Sequence, residues 1–417
     1  MTYVYVLSKS GRPLMPTKPA RARHLLEAGE AKVVRVAPFT IQLTIDTPEA
    51  VQPVYGGQDP GLTQGVVAVR GDGEVLFRAE VRCRPDISDK LEERRNYRRG
   101  RRHRKTRYRK ARFQNRRKPE GWVAPSIRQL KHEHDKLRTF VESILPVAAW
   151  AVELNKFDFQ KMENPLIQGR EYQNGPLRGY FDVREYVLER DGYACVLCGS
   201  AKNRKLYRFR GNSDRPKNLV TLCGKCHKKA VVGKIVFGIV LENYRWAARV
   251  NVMRALWVPS ERLSLVSAEQ VAEARDALGL KKSHVSDALA AVCVAFGASP
   301  KPRSAKPLRG RFVRQKNRQL HRANPGRENV RQSANANRYL VSRAGVRFQK
   351  GDLVVYRTRN SRKITGYINT LFSRGAVRIA DHAGRELYNG ASVNKLKKLQ
   401  NADALTWEVS SGVSSPE

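Results

Sequence analysis

The chain has 417 residues, which at about 150 residues per domain predicts roughly three domains. It carries 80 lysines and arginines against 38 aspartates and glutamates, and the formal net charge of +42 predicts a polyanionic partner, in the first place a nucleic acid. No segment approaches the ~18 apolar residues of a membrane span, and residues 1–9 lack a secretory leader pattern, so we expect a protein of the prokaryotic cytoplasm. Charge alone leaves a ribosomal protein open.

The N-terminal part of the chain predicts a small α/β unit followed by a hairpin. Strand-like Tyr3–Leu7 and Thr40–Ile45 flank a helical segment, Arg21–Ala28. Further on, Gly65–Arg70 and Glu74–Arg82 have strand-like patterns and are joined by a Gly-Asp-Gly turn. We therefore expect a first unit within residues 1–52 and an antiparallel pair of strands after it.

The most basic stretch, residues 86–118, predicts a helix, because arginine is a good helix former. Such a helix is positive on every face, so it cannot lie in a core and would be stable only among phosphates. The alternative is a solvated or disordered charge run, although its place between core elements argues against a tail. Tyr97, Tyr108 and Phe113 are interleaved with the basic residues, and packing is the favoured interpretation over stacking on bases. The side chains expected to contact an RNA or DNA backbone are Arg94, Arg95, Arg98, Arg99, Arg101, Arg102, Arg104, Lys105, Arg107, Arg109, Lys110 and Arg112.

The remaining elements alternate between helices and strands. The apolar run Val147–Leu154 predicts a buried strand. Helices are predicted at 126–143, 242–256, 268–278 and Ser283–Phe296.

The C-terminal part has three differing patterns. Residues 298–311 predict a linker, and residues 348–399 predict the strands of a small β-barrel-like domain. The last dozen residues are polar and acidic, and we expect them to be disordered.

Four of the six cysteines form two Cys-x-x-Cys pairs, Cys195 with Cys198 and Cys223 with Cys226. In a reducing compartment this spacing indicates tetrahedral zinc rather than disulfides. Reduced buried thiols are the alternative. We expect a structural Zn²⁺ at these four residues.

Three acidic residues occupy suggestive positions: Asp59 ahead of the hairpin, Glu153 at the end of a strand, and Asp287 on a late helix. Carboxylates that converge can hold two Mg²⁺ ions for phosphodiester cleavage. His284 lies on the same helical face as Asp287 and could be a proton donor or an ordinary helix residue. From the pattern alone, three ordinary surface acids remain an equal alternative.

Several motifs resemble those of the IscB family of RNA-guided nucleases. Asp59–Gly61 with its hairpin, residues 152–157 and residues 282–288 resemble the three RuvC motifs in order. Pro13–Pro16 resembles the family's N-terminal PLMP motif, and residues 162–175 also resemble IscB. The Arg-rich helix lies where the family has its bridge helix. The resemblance covers residues 1 to about 325 and is weaker toward the C-terminus.

The resemblance implies a multidomain α/β protein with an RNase H-like (RuvC) domain split in sequence. It also implies an omega RNA whose guide pairs with one strand of a double-stranded DNA target, as in RNA-guided effectors generally. RuvC would cut the displaced non-target strand with Mg²⁺ bound by Asp59, Glu153 and Asp287, aided by His284, while HNH would cut the paired strand. The β-rich C-terminal part is similar to the family region that reads a short target-adjacent motif. We expect a monomer in the ribonucleoprotein, associated with the nucleoid when bound to DNA and without a membrane partner.

The cysteine-containing segment resembles an HNH module that has lost its catalytic histidine. Asn218 and His227 match the family's middle Asn and last His. The interval Lys205–Asp214, where an active module has its general base, contains no histidine and is shortened. We therefore expect a module that binds zinc but does not cleave, unless Asp214 binds metal in a rearranged loop.

The expected enzyme is thus a nickase of the non-target strand. An RNA-guided DNA-binding protein without cleavage, and an RNA-free HNH or RuvC-type endonuclease, are the alternatives. The expected parts are a PLMP domain at 1–52, RuvC segments at 53–85, 121–190 and 234–297, a bridge helix at 86–120, a degenerate HNH module at 191–233, a basic linker or RNA-binding segment at 298–347, a motif-reading domain at 348–400 and a disordered tail at 401–417.

Overall fold

The computed structural model describes residues 3–102, 119–154, 177, 179–209, 214–235, 237, 245–301, 307–314, 339–358, 360–372 and 374–409. The chain forms two compact units, Met1–Asn155 with Val250–Glu417, and Lys156–Arg249. Within the described residues it is a mixed α/β protein, as expected, and none of the helices there is long and apolar enough to cross a membrane.

Nineteen strands and eight α-helices lie in the part of the chain that the structure describes. The helices are α1 Pro19–Glu27, α2 Ile87–Arg102, α3 Pro125–Glu142, α4 Val183–Arg190, α5 Gly224–Val231, α6 Arg245–Arg254, α7 Ala268–Ala277 and α8 His284–Phe296. The strands are β1 Tyr5–Leu7, β2 Ala31–Arg35, β3 Thr40–Leu43, β4 Val54–Asp59, β5 Thr63–Arg70, β6 Val75–Arg82, β7 Val147–Leu154, β8 Arg204–Arg208, β9 Leu219–Cys223, β10 Leu263–Ser267, β11 Leu308–Phe312, β12 Tyr339–Val341, β13 Arg347–Gln349, β14 Leu353–Arg357, β15 Lys363–Phe372, β16 Ala376–Ala380, β17 Glu386–Ser392, β18 Leu396–Gln400 and β19 Leu405–Trp407.

The larger unit contains a seven-stranded mixed sheet in the order β10-β7-β4-β5-β6-β11-β19. Strands β10, β7 and β4 are parallel neighbours, whereas β4, β5 and β6 form an antiparallel meander. The predicted hairpin is confirmed as β5 and β6, and the predicted buried strand is confirmed as β7. The sheet therefore joins segments that lie about a hundred or more residues apart in the sequence.

Helices cover both faces of this sheet. On one face, Val66 and Ala68 pack in a core with Leu137 and Val141 of α3. On the other, the alternate residues of β5 pack in a core with Val285, Leu289 and Val292 of α8. Burial on both faces explains why the middle of β5 reads as an uninterrupted apolar run instead of an alternating one.

Strand β4 was not predicted, and Asp59, which was expected just ahead of the hairpin, is the last residue of this strand. Two adjacent glycines and a glutamine interrupt the β-branched pattern that marks a strand. The glycines are required because neighbours lie against the backbone: a Cβ on Gly56 would strike the indole of Trp150, and one on Gly57 would overlap the carbonyl oxygen of Ala288.

Two predictions for the C-terminal half were wrong. Residues 308–312 are not linker but strand β11, which pairs in parallel with β6. Residues 405–407 are not a disordered tail but strand β19 beside β11. Trp407 is buried there, with its ring centroid 5.3 Å from that of Phe140. Strand β19 has only three residues and β11 contains a glycine between two arginines, so neither has a strand pattern of its own, and their stability comes from the sheet edge that they join.

Three smaller sheets also lie in the described part of the larger unit, one of them the antiparallel pair of β12 and β13. Strands β1, β3 and β2 form a three-stranded sheet next to α1, in the segment predicted as an α/β unit. The strand-rich prediction for residues 348–399 is confirmed as an antiparallel sheet in the order β17-β16-β15-β14-β18. Within the described residues this sheet is open, with β17 and β18 at its edges, so it is not a closed barrel.

The smaller unit contains a ββα arrangement. Strands β8 and β9 pair antiparallel, and α5 begins directly after β9. The side chain of Cys223 caps α5 by accepting a hydrogen bond from the amide of Cys226. The same cysteine pair therefore starts the helix and contributes to the cluster described below.

Candidate functional site

Three buried carboxylates converge at one edge of the large sheet. Gln58 of β4 is in register with Val152 of the parallel strand β7, so Asp59 and Glu153 lie side by side at the carboxyl ends of these strands. Asp287 comes from the first turn of α8. One carboxylate oxygen of each residue lies within 4.8 Å of the others. The structure thus brings together the three acids that the sequence had placed in separate segments.

A bound cation would offset the energetic cost of this cluster. All three acids are buried, between 5 and 8 % exposed, and like charges this close oppose one another. Burial raises the pKa of Asp59, and the charge of Asp287 raises it further, while the hydrogen bond from His284 opposes both effects. Oxygen ligands at this separation suit one or two Mg²⁺ ions, which prefer carboxylates at about 2.1 Å and lie about 4 Å apart in two-metal sites.

His284 is held against the cluster by Asp59. Its Nδ1 lies 2.5 Å from Oδ2 of Asp59, and the hydrogen bond raises the pKa of the imidazole. The imidazole is nearly half exposed, whereas the carboxylate that holds it is buried. This fixed ring at the solvent side of the cluster can hold or deliver a proton.

Arg275 of α7 also belongs to the site, and sequence reasoning missed it. Its Nη1 donates to Oδ1 of Asp287 at 2.8 Å, and both side chains are largely buried. Because α7 and α8 pack against each other, the pair bridges two helices. A single arginine on an amphipathic helix carries no local signal that could have predicted this contact.

The position of α8 is set by its close approach to the sheet. A Cβ on Gly65 of β5 would overlap the carbonyl oxygen of His284 and would lie 2.8 Å from the amide nitrogen of Val285. Ser283 caps the helix by accepting from the amide of Ser286. The helix N-terminus therefore meets the sheet at the carboxylates, with Asp287 in the turn where the helix dipole favours a negative charge.

The four predicted zinc ligands form a second cluster. Sulfur atoms of Cys195, Cys198, Cys223 and Cys226 lie within 4.8 Å of one another. The Cys198–Cys223 and Cys198–Cys226 separations are 3.6 and 3.7 Å. A tetrahedral Zn²⁺ with Zn–S bonds of ~2.3 Å requires sulfurs on the order of 3.8 Å apart, so the cluster fits a structural zinc. Backbone hydrogen bonds outweigh the opposing effect of burial and lower the pKa of Cys195 to about 6, toward the thiolate that a metal binds.

The HNH-like residues lie on the same ββα arrangement. Asn218 is buried just before β9, and His227 lies on α5. Opposite His227, β8 contributes Tyr207, whose ring centroid is 5.9 Å from the imidazole and 5.5 Å from the ring of Phe237. In the described part of this unit the four cysteines are the only group of potential metal ligands. Residues 210–213 of the predicted shortened loop lie outside the described residues.

The first part of the predicted Arg-rich helix is α2. Its residues Arg94, Arg95, Arg98 and Arg99 are exposed, and none of residues 87–100 is buried, as predicted for a helix that is not part of a core. The basic residues predicted to follow, from Arg104 to Arg112, lie outside the described residues.

Residues 4–175 match the family described as RRXRR protein, a family associated with HNH- and RuvC-like nucleases. The match covers the N-terminal sheet, strands β4 to β7 and the Arg-rich helix. A comparison with curated proteins gives no significant match. The family match is consistent with a nuclease-type protein, and it contains two of the three converging carboxylates, Asp59 and Glu153.

Proposed function

We propose that the chain is an RNA-guided DNA endonuclease of the IscB type that nicks the non-target strand at Asp59, Glu153 and Asp287. The observation that carries this proposal is the convergence of the three buried carboxylates beside His284. Burial of three carboxylates together costs free energy, because each loses hydration and repels the others, so ordinary surface acids are not expected to converge in this way.

The arrangement of the large sheet supports a split RNase H-like domain. Strands β4 to β6 come first, the Arg-rich helix separates β6 from β7, and the zinc-binding unit separates β7 from β10 and α8. This is the order that the RuvC-motif resemblance implies. The family match supports the nuclease assignment independently over residues 4–175.

Each side chain of the site has a distinct role in the proposed hydrolysis. Asp59, Glu153 and Asp287 would hold Mg²⁺, which supplies an activated water and stabilises the leaving oxygen. His284, oriented by Asp59, would deliver or remove a proton at the solvent side. Arg275 holds Asp287 from the adjacent helix and so keeps that carboxylate oriented.

The zinc-binding unit is proposed to be a non-cleaving HNH remnant. His227 faces the aromatic ring of Tyr207 instead of a second histidine, and a phenol is a poor general base at neutral pH. All four cysteines of the proposed zinc site lie together, with Cys223 ending β9 and Cys226 on α5. Cutting of the guide-paired strand is therefore not expected.

The proposed partners follow from the charge. A guide omega RNA and the target DNA duplex would be bound through phosphates by the exposed arginines of α2. The C-terminal sheet would read the short target-adjacent motif. We propose a monomeric ribonucleoprotein of the prokaryotic cytoplasm.

The proposal is tested on the chain together with the RNA that co-purifies with it, which is sequenced to define the target. A matching duplex labelled differently on each strand is then incubated with Mg²⁺. We expect cutting of the non-target strand alone, and loss of cutting with unchanged DNA binding in Asp59→Asn. The control is Asp46→Asn, an exposed aspartate paired with Lys9.

Each other outcome has a defined meaning. Cutting of both strands would show that the HNH-like unit retains activity. Tight binding without cutting would favour an RNA-guided binding protein, and cutting without RNA would favour an RNA-free endonuclease. Undiminished cutting by Asp59→Asn would refute the carboxylate site.

A further inference from the structure

Two buried glutamines lie on the opposite face of the sheet from the carboxylates. Gln58 and Gln64 are both fully buried, at positions where the core of a sheet normally has apolar residues. Side chains alternate along a strand, so Gln58 faces α3 while its neighbour Asp59 faces α8. The Nε2 of Gln58 donates to Oε1 of Gln64 at 2.8 Å and to the carbonyl oxygen of His134 on α3 at 3.2 Å.

The pair is connected to the loop that follows Asp59. Nε2 of Gln64 donates to the sulfur of Cys83 at 3.3 Å, and the thiol of Cys83 lies 3.7 Å from the carbonyl oxygen of Gly61. The amide of Cys83 also donates to the carbonyl oxygen of Leu62 at 2.7 Å. Cys83 thus contacts two carbonyl oxygens of this loop: its thiol that of Gly61, and its backbone amide that of Leu62.

The same residue begins the segment that leads into the Arg-rich helix. The next amide, that of Arg84, donates to Oε2 of Glu133 on α3 at 2.9 Å, and the guanidinium of Arg84 pairs with Asp86 immediately before α2. Gln129 donates to the other carboxylate oxygen of Glu133 at 3.0 Å. Hydrogen bonds, together with the peptide link from Cys83 to Arg84, therefore connect the segment before α2, the middle of α3 and the loop that follows Asp59.

We propose that Gln58, Gln64 and Cys83 are positioning residues through which nucleic acid bound to α2 orders the loop at residues 60–62 and thereby Asp59. The inference rests on the proposed function, because it takes nucleic acid as the ligand of α2. Buried amides are retained at a cost only when their hydrogen bonds are made, and breaking one leaves a buried donor unpaired. Nucleic acid that fixes α2 at its base would restrict Arg84 and Cys83, and the loop with them.

The test compares amide hydrogen exchange in the full-length chain with and without an RNA–DNA hybrid of about 20 base pairs. The amides of Gly61, Leu62 and Thr63 report on the loop. The variants are Gln64→Leu and Cys83→Val, which remove the path. Cys83→Ser keeps a hydrogen-bonding side chain, and Gln52→Leu is the matched control at an exposed position. Thermal unfolding of each variant verifies that it folds.

We expect the hybrid to slow exchange of the loop amides by about tenfold in the wild type, Cys83→Ser and Gln52→Leu, but not in Gln64→Leu or Cys83→Val. Affinity for the hybrid should be equal in all five proteins, and nicking in Mg²⁺ should be about tenfold slower in the two path variants. Loop protection that survives Gln64→Leu and Cys83→Val, or is absent from the wild type, overturns the proposal. Exchange requires no cutting, so a chain that shows the expected protection but never cuts DNA refutes the nuclease proposal alone.

Discussion

Substitution of Gly65 by alanine should move α8 away from the sheet and disable the carboxylate site. The added Cβ would overlap the carbonyl oxygen of His284 and lie 2.8 Å from the nitrogen of Val285, where ordinary contacts begin at 3.4 Å. The start of α8 must therefore shift by at least about one ångström. Because this is backbone of the turn that carries His284 and Asp287, no flexible side chain can absorb the overlap.

The substitution should lower both the stability of the protein and the rate of nicking. Overpacking of this kind lowers the free energy of unfolding by about 1–3 kcal/mol, and misplacement of catalytic groups on the ångström scale lowers the rate by up to about 100-fold. Chemical denaturation and single-turnover nicking in Mg²⁺ measure these two quantities. Gly71→Ala, in the turn of the same hairpin, is the control, because its Cβ would meet only ordinary contacts, the nearest at 3.5 Å. A Gly65→Ala protein with wild-type stability and nicking would refute the close-approach argument.

Four further outcomes are expected. Glu153→Gln should abolish nicking yet raise the thermal unfolding midpoint in metal-free buffer, because it relieves repulsion among buried carboxylates; a lower midpoint would contradict this reason. Arg275→Met should raise the Mg²⁺ concentration needed for half-maximal nicking by about 10- to 100-fold, since Asp287 loses its orienting partner, and an unchanged requirement would argue against that role. Chelation of zinc, or Cys223→Ser, should unfold the smaller unit and remove one zinc per chain in metal analysis while nicking by the larger unit persists. Burial lowers the pKa of His134 to about 4; the hydrogen bond to the Leu130 carbonyl opposes this shift and the charge of Arg138 adds to it. The neutral imidazole therefore contributes its full stability above pH ~6.5, and this contribution is lost as the pH falls toward 4. His134→Phe should flatten that part of the curve of unfolding free energy against pH, measured by chemical denaturation.

The elements that could be predicted from the sequence are those that carry their own pattern. Strand β7 is a continuous apolar run, and helix α8 has a cap and an apolar core face, so both were located to within a residue. Strands β11 and β19 are short, and β4 is interrupted by glycines, so their formation depends on partners that are distant in the sequence. These strands form because of tertiary contacts, and such contacts cannot be identified from a single sequence.

The candidate site divides in the same way. The three acids and the four cysteines could be proposed from residue type and spacing, because buried acids and paired cysteines are chemically unusual. Arg275 and Gln64 could not be proposed, because their residue types are common in helices and strands. Their proposed roles depend on tertiary contacts, with Asp287 and Gln58 respectively. Supporting residues of a site generally carry less local signal than the ligands that they orient.

The direction of the strands explains why the helix proposed to bind nucleic acid begins near the carboxylates. Strand β5 is antiparallel to both β4 and β6, so β4 and β6 run the same way, as do β7 and β10. All four strands therefore end at one edge, where Asp59 and Glu153 lie. The Arg-rich helix begins five residues after β6 ends at Arg82, so it starts from the edge that carries the carboxylates. A phosphate backbone bound along that helix would therefore lie near the edge where cleavage is proposed, and the loop between β4 and β5 lies at the same edge.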